Sequence, residues 1–166
     1  VVEHDEDTMA RADYIIDLGP GAGVEGGQVV AAGSLKQILR NKKSLTGTEL
    51  AGQHSRGQAL GQARPTAPPL TRRGASRKNK TPSLIFRGLR KNNLKNVSVA
   101  VPLGRFTAVT GVSGSGKSTL VRECILPAVQ AELKTRRKKN IEGMGQIKAV
   151  HEVDQSPIGR TPRSVP

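Results

Sequence analysis

Aromatic side chains are almost missing from this 166-residue chain: two Phe, one Tyr and no Trp. Aromatics supply the largest contact areas in protein cores. With apolar residues at 35%, low for a compact domain, a dense core along the whole length is not expected. Cysteine is nearly absent as well. The single Cys124 excludes an internal disulfide and any cysteine-built zinc site; inside a predicted helix it reads as a small core residue. No apolar run approaches the ~20 residues of a membrane-spanning helix, and no secretory leader is visible at the start. No membrane partner and a reducing, cytoplasmic location are therefore expected. Acids are scarce: 13 Asp and Glu against 27 Lys and Arg leave a formal charge of +14. Such an excess points to polyanionic partners. Residue 1 is Val, not Met, and Arg163-Ser164-Val165-Pro166 stops without a capping element. The chain reads as a piece of a longer polypeptide.

What is present is one stretch around which the rest is arranged. Gly111-Val112-Ser113-Gly114-Ser115-Gly116-Lys117-Ser118-Thr119 satisfies the phosphate-binding loop pattern G-x-x-x-x-G-K-[ST] at every fixed position. Phe106-Thr107-Ala108-Val109-Thr110 before it suits a buried strand. After it, Leu120, Val121, Cys124 and Ile125 share one side of a helical wheel. Glycine lets backbone approach a phosphate with no Cβ in the way. A helix N-terminus adds unpaired N–H groups and the positive end of the macrodipole. In this pattern Lys117 reaches the β- and γ-phosphates of a nucleotide, and the Ser118 hydroxyl ligates Mg²⁺.

Elsewhere the pattern is of short elements. Val1 and Val2 read as the end of a buried strand. A short helix through Arg11 is expected after a cap at Asp7 or Thr8. Tyr14-Ile15-Ile16-Asp17-Leu18 is a strand broken by Gly19-Pro20-Gly21. Gln28 to Gly33 is another strand, and Ser34 caps a helix whose Leu35, Ile38 and Leu39 share a face. Residues 53–82 hold seven Lys or Arg, four Pro and no acid. That composition cannot bury enough surface to offset ordering, so a flexible basic linker is expected. Structure resumes at Ser83-Leu84-Ile85-Phe86, and Val97, Val99 and Val101 alternate as in a two-faced strand. Pro127 is expected to end or kink the helix near Ile125-Leu126. The fold class is α/β.

A second set of residues narrows the reading. His4 after Val1-Val2-Glu3, then Ala12-Asp13-Tyr14-Ile15-Ile16-Asp17-Leu18-Gly19 and Gly27-Gln28-Val29-Val30-Ala31-Ala32-Gly33, resembles the closing part of an ABC-type ATPase domain. Asn92-Asn93-Leu94-Lys95-Asn96, Ser44-Leu45-Thr46-Gly47 and Asp154-Gln155-Ser156-Pro157-Ile158-Gly159-Arg160-Thr161-Pro162-Arg163-Ser164 narrow this to the UvrA family, the damage-recognition ATPases of bacterial nucleotide excision repair. The resemblance implies two partial P-loop domains. Residues 1–52 would close the first, 53–82 would link, and 83–166 would open the second. It also implies that His4 is a switch histidine on the γ-phosphate of one ATP site. Gln155 would be the Q-loop glutamine that touches Mg²⁺ or the attacking water at another. Implied cofactors are ATP and Mg²⁺. The family's zinc modules have no counterpart here. Implied partners are damaged duplex DNA, UvrB and a second copy of the full-length protein. A Leu-Ser-Gly-Gly-Gln signature and an apolar run ending in Asp-Glu are absent, so this chain alone is expected to hydrolyse ATP negligibly. Two rivals stay open: the nucleotide-binding domain of another ABC ATPase, such as a transporter or a UvrA paralogue, and a basic DNA-binding module without enzymatic activity.

Overall fold

The computed structural model describes residues 1–3, 5–56, 81–135 and 141–153. Among these, helix α1 (Glu6–Ala10) precedes strand β1 (Tyr14–Gly19), and β2 (Gln28–Gly33) leads into helix α2 (Leu35–Arg40) and helix α3 (Leu45–Arg56). Strands β3 (Ser83–Leu89), β4 (Val97–Pro102) and β5 (Thr107–Gly111) follow. A helical stretch then runs from 117 to 135 and ends in helix α4 (Leu126–Thr135).

Two sheets result. The first has the order β2-β1-β5. β1 pairs antiparallel with β2 and parallel with β5, Tyr14 opposite Thr107 and Leu18 opposite Gly111. Residues 1–3 lie along the far side of β5: the Val109 N–H donates to the Val1 carbonyl at 2.7 Å, and the Glu3 N–H donates to the Val109 carbonyl at 3.1 Å. Where the end of a buried strand was expected, Val2 makes a single parallel bridge to Val109 and Val1 is 58% exposed. β5 is thus flanked by first-half backbone on both sides, and strands from both sides of residues 57–80 share one sheet. The second sheet is the antiparallel pair β3-β4.

Side-chain alternation along a strand assigns the two faces of the first sheet. Ile16, Leu18 and Val109 join Leu84, Phe86, Leu94, Val97, Val99, Leu120 and Val129 in the main core, between the two sheets and the helical stretch. Ile15, Ala31 and Ala108 form a smaller core with Ile38 of α2 on the opposite face. Leu, Val and Ile dominate the main core and Ala and Ile the smaller one; Phe86 is the one buried ring among the described residues.

Three expectations need correction. α1 is capped by Asp5, whose carboxylate accepts from the Thr8 amide at 2.8 Å and from the Thr8 hydroxyl at 2.7 Å. A cap must precede the first turn to reach its free amides; Asp7 and Thr8 lie inside that turn. α3 runs to Arg56, four residues into the span read as linker; residues 57–80 lie outside the described residues. Pro127 does not end its helix. The stretch Thr119–Ile125 is a π-helix, closed by the Leu126 N–H on the Val121 carbonyl, and α-helix resumes at Leu126. Proline cannot donate to the carbonyl four residues back and its ring crowds it. The wider π ladder before it shifts the register, and helix continues to Thr135.

Candidate functional site

β5 ends at Gly111 and the helical stretch begins at Lys117, so residues 112–116 form the turn between them. The turn is closed by the Ser115 N–H on the Val112 carbonyl at 3.2 Å. Gly111, Gly114 and Gly116 have φ of +124°, +74° and +106°, a region costly to residues with a Cβ. A Cβ at Gly111 would also collide with the Leu18 carbonyl of β1. Ser113, Gly114 and Ser118 face solvent, whereas Ser115 and Lys117 are buried. The result is an open turn at a helix N-terminus, with a lysine folded beneath it.

Lys117 occupies a defined resting position. Its Nζ donates to the carbonyls of Gly111 at 2.7 Å and Val112 at 2.8 Å. Burial lowers its pKa below the ordinary lysine value, and the charge of Asp17 opposes that shift. An ammonium held by two neutral carbonyls in a partly desolvated position is primed to move to a stronger acceptor. Phosphate oxygens are such acceptors.

Two loops brace the turn. In the first, between β1 and β2, the Gly23 N–H donates to the Gly114 carbonyl and the Gly27 N–H to the Ser115 carbonyl, both at 3.0 Å. Between β3 and β4, the Asn93 Nδ2 donates to the carbonyls of Gly114 at 3.1 Å and Gly23 at 3.3 Å. The Asn92 Nδ2 reaches Thr119 Oγ1 at 3.3 Å and the Glu123 carboxylate, and Leu94 is buried in the main core. Asn92 and Asn96 have φ of +50° and +56°, which asparagine tolerates better than most residues. These asparagines marked a resemblance in the sequence; their bracing role was not read from it.

Beneath the turn lies a buried carboxylate. Asp17, opposite Thr110 in the β1-β5 register, accepts from Ser44 Oγ at 2.6 Å, Thr46 Oγ1 at 2.8 Å and Thr110 Oγ1 at 3.1 Å. In the sequence Asp17 is one residue of an expected strand. The available signal was an acid inside the apolar run Ile15-Ile16-Asp17-Leu18, since buried charge requires partners.

The structure therefore sets residues 111–119 in sequence as the end of β5, the turn and the start of the helical stretch. His4 and Gln155 lie outside the described residues. The residues present fit a polyphosphate: a glycine turn open to solvent, a helix N-terminus and a lysine within reach. For Mg²⁺ they offer the Ser118 hydroxyl. Among the described residues, no group of three or more His, Cys, Asp or Glu could hold a metal ion, and no helix is long and apolar enough to cross a membrane.

No family model matches the chain. Individual proteins do. UvrABC system protein A of Halalkalibacterium halodurans is 50% identical over 171 aligned residues, covering 100% of this chain and 16% of that protein. The proteins of the same name from Clostridium tetani and Thermus thermophilus are 47% and 46% identical, again over the whole chain and over 17% and 16% of their own lengths. The crystal structure of UvrA2 from Deinococcus radiodurans is 38% identical and covers 99% of this chain and 18% of that one, with a TM-score of 0.47. From its first residue to its last this chain matches UvrA, and it spans about one sixth of the length of those relatives.

Proposed function

We propose that residues 111–119 are the ATP-binding phosphate loop of a UvrA-like ATPase acting in nucleotide excision repair. The turn geometry carries the reading: three left-handed glycines open a backbone nest at a helix N-terminus, with Lys117 parked on the loop's own carbonyls. In that reading Lys117 leaves Gly111 and Val112 for the β- and γ-phosphates, and the loop amides from Val112 to Thr119 hold the phosphate oxygens. The Ser118 hydroxyl would hold Mg²⁺, which supplies charge neutralisation between those phosphates when bound. Gln155 is proposed as a second group facing Mg²⁺ or the attacking water, and His4 as the switch histidine of the γ-phosphate.

For the longer polypeptide, the proposal is two ATPase domains in tandem. Residues 1–52 would close one, 83–166 would open the next, and 53–82 would link them. His4 and Lys117 would then serve different ATP sites. ATP binding and hydrolysis would drive loading on damaged duplex DNA and hand-over to UvrB, in a cytoplasmic homodimer whose zinc modules lie outside this chain. The formal charge of +14 supports the DNA partner.

Two measurements test this. Lys117→Ala should lose binding of a fluorescent ATP analogue while DNA binding at two salt concentrations stays as in the unsubstituted chain. Loss of neither, or of DNA binding alone, would favour the non-enzymatic DNA module. In a radiolabelled phosphate-release assay, the 166-residue chain alone should turn over negligibly, because phosphoryl transfer needs groups this chain lacks. Turnover equal to that of a full-length UvrA would overturn that part.

A further inference from the structure

The peptide between Gly114 and Ser115 decides which way the middle of the turn faces. Gly114 and Gly116 leave it free to rotate: their φ values are +74° and +106°, and glycine moves between backbone conformations at little steric cost. A nest captures an anion through its N–H groups; a carbonyl turned toward the nest would repel a phosphate instead. The Ser115 N–H donates to the Val112 carbonyl at 3.2 Å. In a trans peptide the carbonyl points opposite to the N–H, so the Gly114 carbonyl faces away from Val112. Rotating that peptide would exchange the two. A carbonyl would then face Val112, whose own carbonyl already holds Lys117.

One side chain from the same half of the chain opposes that rotation. Asn93, in the loop between β3 and β4, donates from Nδ2 to the Gly114 carbonyl at 3.1 Å. A carbonyl only accepts, so it fixes which end of the carboxamide faces it. The other end, Oδ1, lies over Gly116, where an added Cβ would stand 3.0 Å from it. The loop that carries Asn93 is itself anchored. Leu94 is buried in the main core, and Lys91 pairs with Glu123 of the helical stretch at 3.2 Å. Gly23 also bonds to Gly114 and to Asn93, but the reading above assigns residues 1–52 to another domain; the bond from Asn93 to Gly114 lies wholly within residues 83–166. We propose that Asn93 is a positioning residue for the phosphate loop: its amide locks the Gly114-Ser115 peptide with the carbonyl outside the nest. The inference rests on the nucleotide reading above, and goes beyond it by giving a role to a residue that touches no phosphate.

The alternative is that Asn93 only packs its loop onto Gly116. Asn93→Leu separates the two, because leucine keeps the size of the carboxamide, adds no charge and cannot donate. Affinity is measured by calorimetry on the full chain, with circular dichroism as the check on folding. Asn93→Leu should weaken Mg-ATP about five- to tenfold and Mg-tripolyphosphate, which has no base, by the same factor. The carbonyl carbon resonance of Gly114 should move in the nucleotide-free variant, as it loses its donor. Lys91→Gln, which cuts the tie from the same loop to the helix without reaching the turn, should leave that resonance in place and affinity within about twofold. Should Asn93→Leu fail to fold, Asn93→Ser carries the same test, since its hydroxyl is too short to reach Gly114. Unsubstituted affinity in the folded variant, an affinity loss with the Gly114 resonance unmoved, or a loss confined to ATP would each overturn the inference. Lys117→Ala distinguishes the two layers. If it loses Mg-ATP while the folded Asn93 variant keeps it, only the positioning role falls; if it binds as the unsubstituted chain does, the nucleotide reading falls and the inference with it.

Discussion

At the scale of single residues, the loop is held by backbone geometry more than by side chains. Gly111 is the sharpest case. Its φ of +124° and the Leu18 carbonyl facing it leave no room for a Cβ. Gly111→Ala should cost roughly 1–3 kcal/mol for the strained backbone, with more for displacing β1 from β5. Thermal melting followed by circular dichroism reads this, and an unchanged midpoint would mean that the turn relaxes freely. Much of this residue-level picture was legible beforehand. The spacing of Gly111, Gly116, Lys117 and Ser118 names a loop because so few backbones accept it. Asp17 was not legible, because its partners Ser44 and Thr110 lie 27 and 93 residues away in sequence. No local periodicity reports a contact of that separation.

At the scale of elements, the strands were the easiest to read. β1, β2, β4 and β5 carry β-branched or alternating apolar residues bounded by glycine or proline. The helix after the loop is where it was expected, but it continues past Pro127 to Thr135 instead of ending there. A sequence shows that proline interrupts an α ladder; it does not show that a π-turn can absorb the missing bond. Leu120, in the π segment Thr119–Ile125, is fully buried against both sheets. Leu120→Ala should destabilise the fold by about 2–5 kcal/mol, read as a lower urea midpoint. A cost below about 1 kcal/mol would mean that the helix does not pack where the structure has it. α1 carries a pH dependence of definite sign. Hydrogen bonds from the Thr8 hydroxyl and amide hold the Asp5 carboxyl below its ordinary value of 3.8. Its contribution is full above that value and fades as pH falls through the lowered folded-state value. The Thr8 amide resonance should move in that acid range in the unsubstituted chain and stay put in Asp5→Asn.

At the scale of the whole molecule, the notable fact is the company β5 keeps. A parallel strand buried on both faces needs a partner on each edge. Here β1 supplies one and residues 1–3 the other. The proposed division into the end of one ATPase domain and the start of another places these strands in different domains of a longer polypeptide. In this chain they satisfy each other. Pairing of that kind should survive a break in the connection. With a protease site engineered between residues 57 and 80 and cut, the two pieces should still elute together on size exclusion. Separate elution under native conditions would show that the shared sheet depends on the covalent link.

The function proposed for the chain depends on anion capture at the turn. Calorimetric titration of Mg-ATP into the unsubstituted chain and into Lys117→Ala/Ser118→Ala measures it most directly. Removing one charged and one neutral donor should lower affinity about a hundredfold. Equal affinity in the two proteins would contradict the nest at residues 112–119.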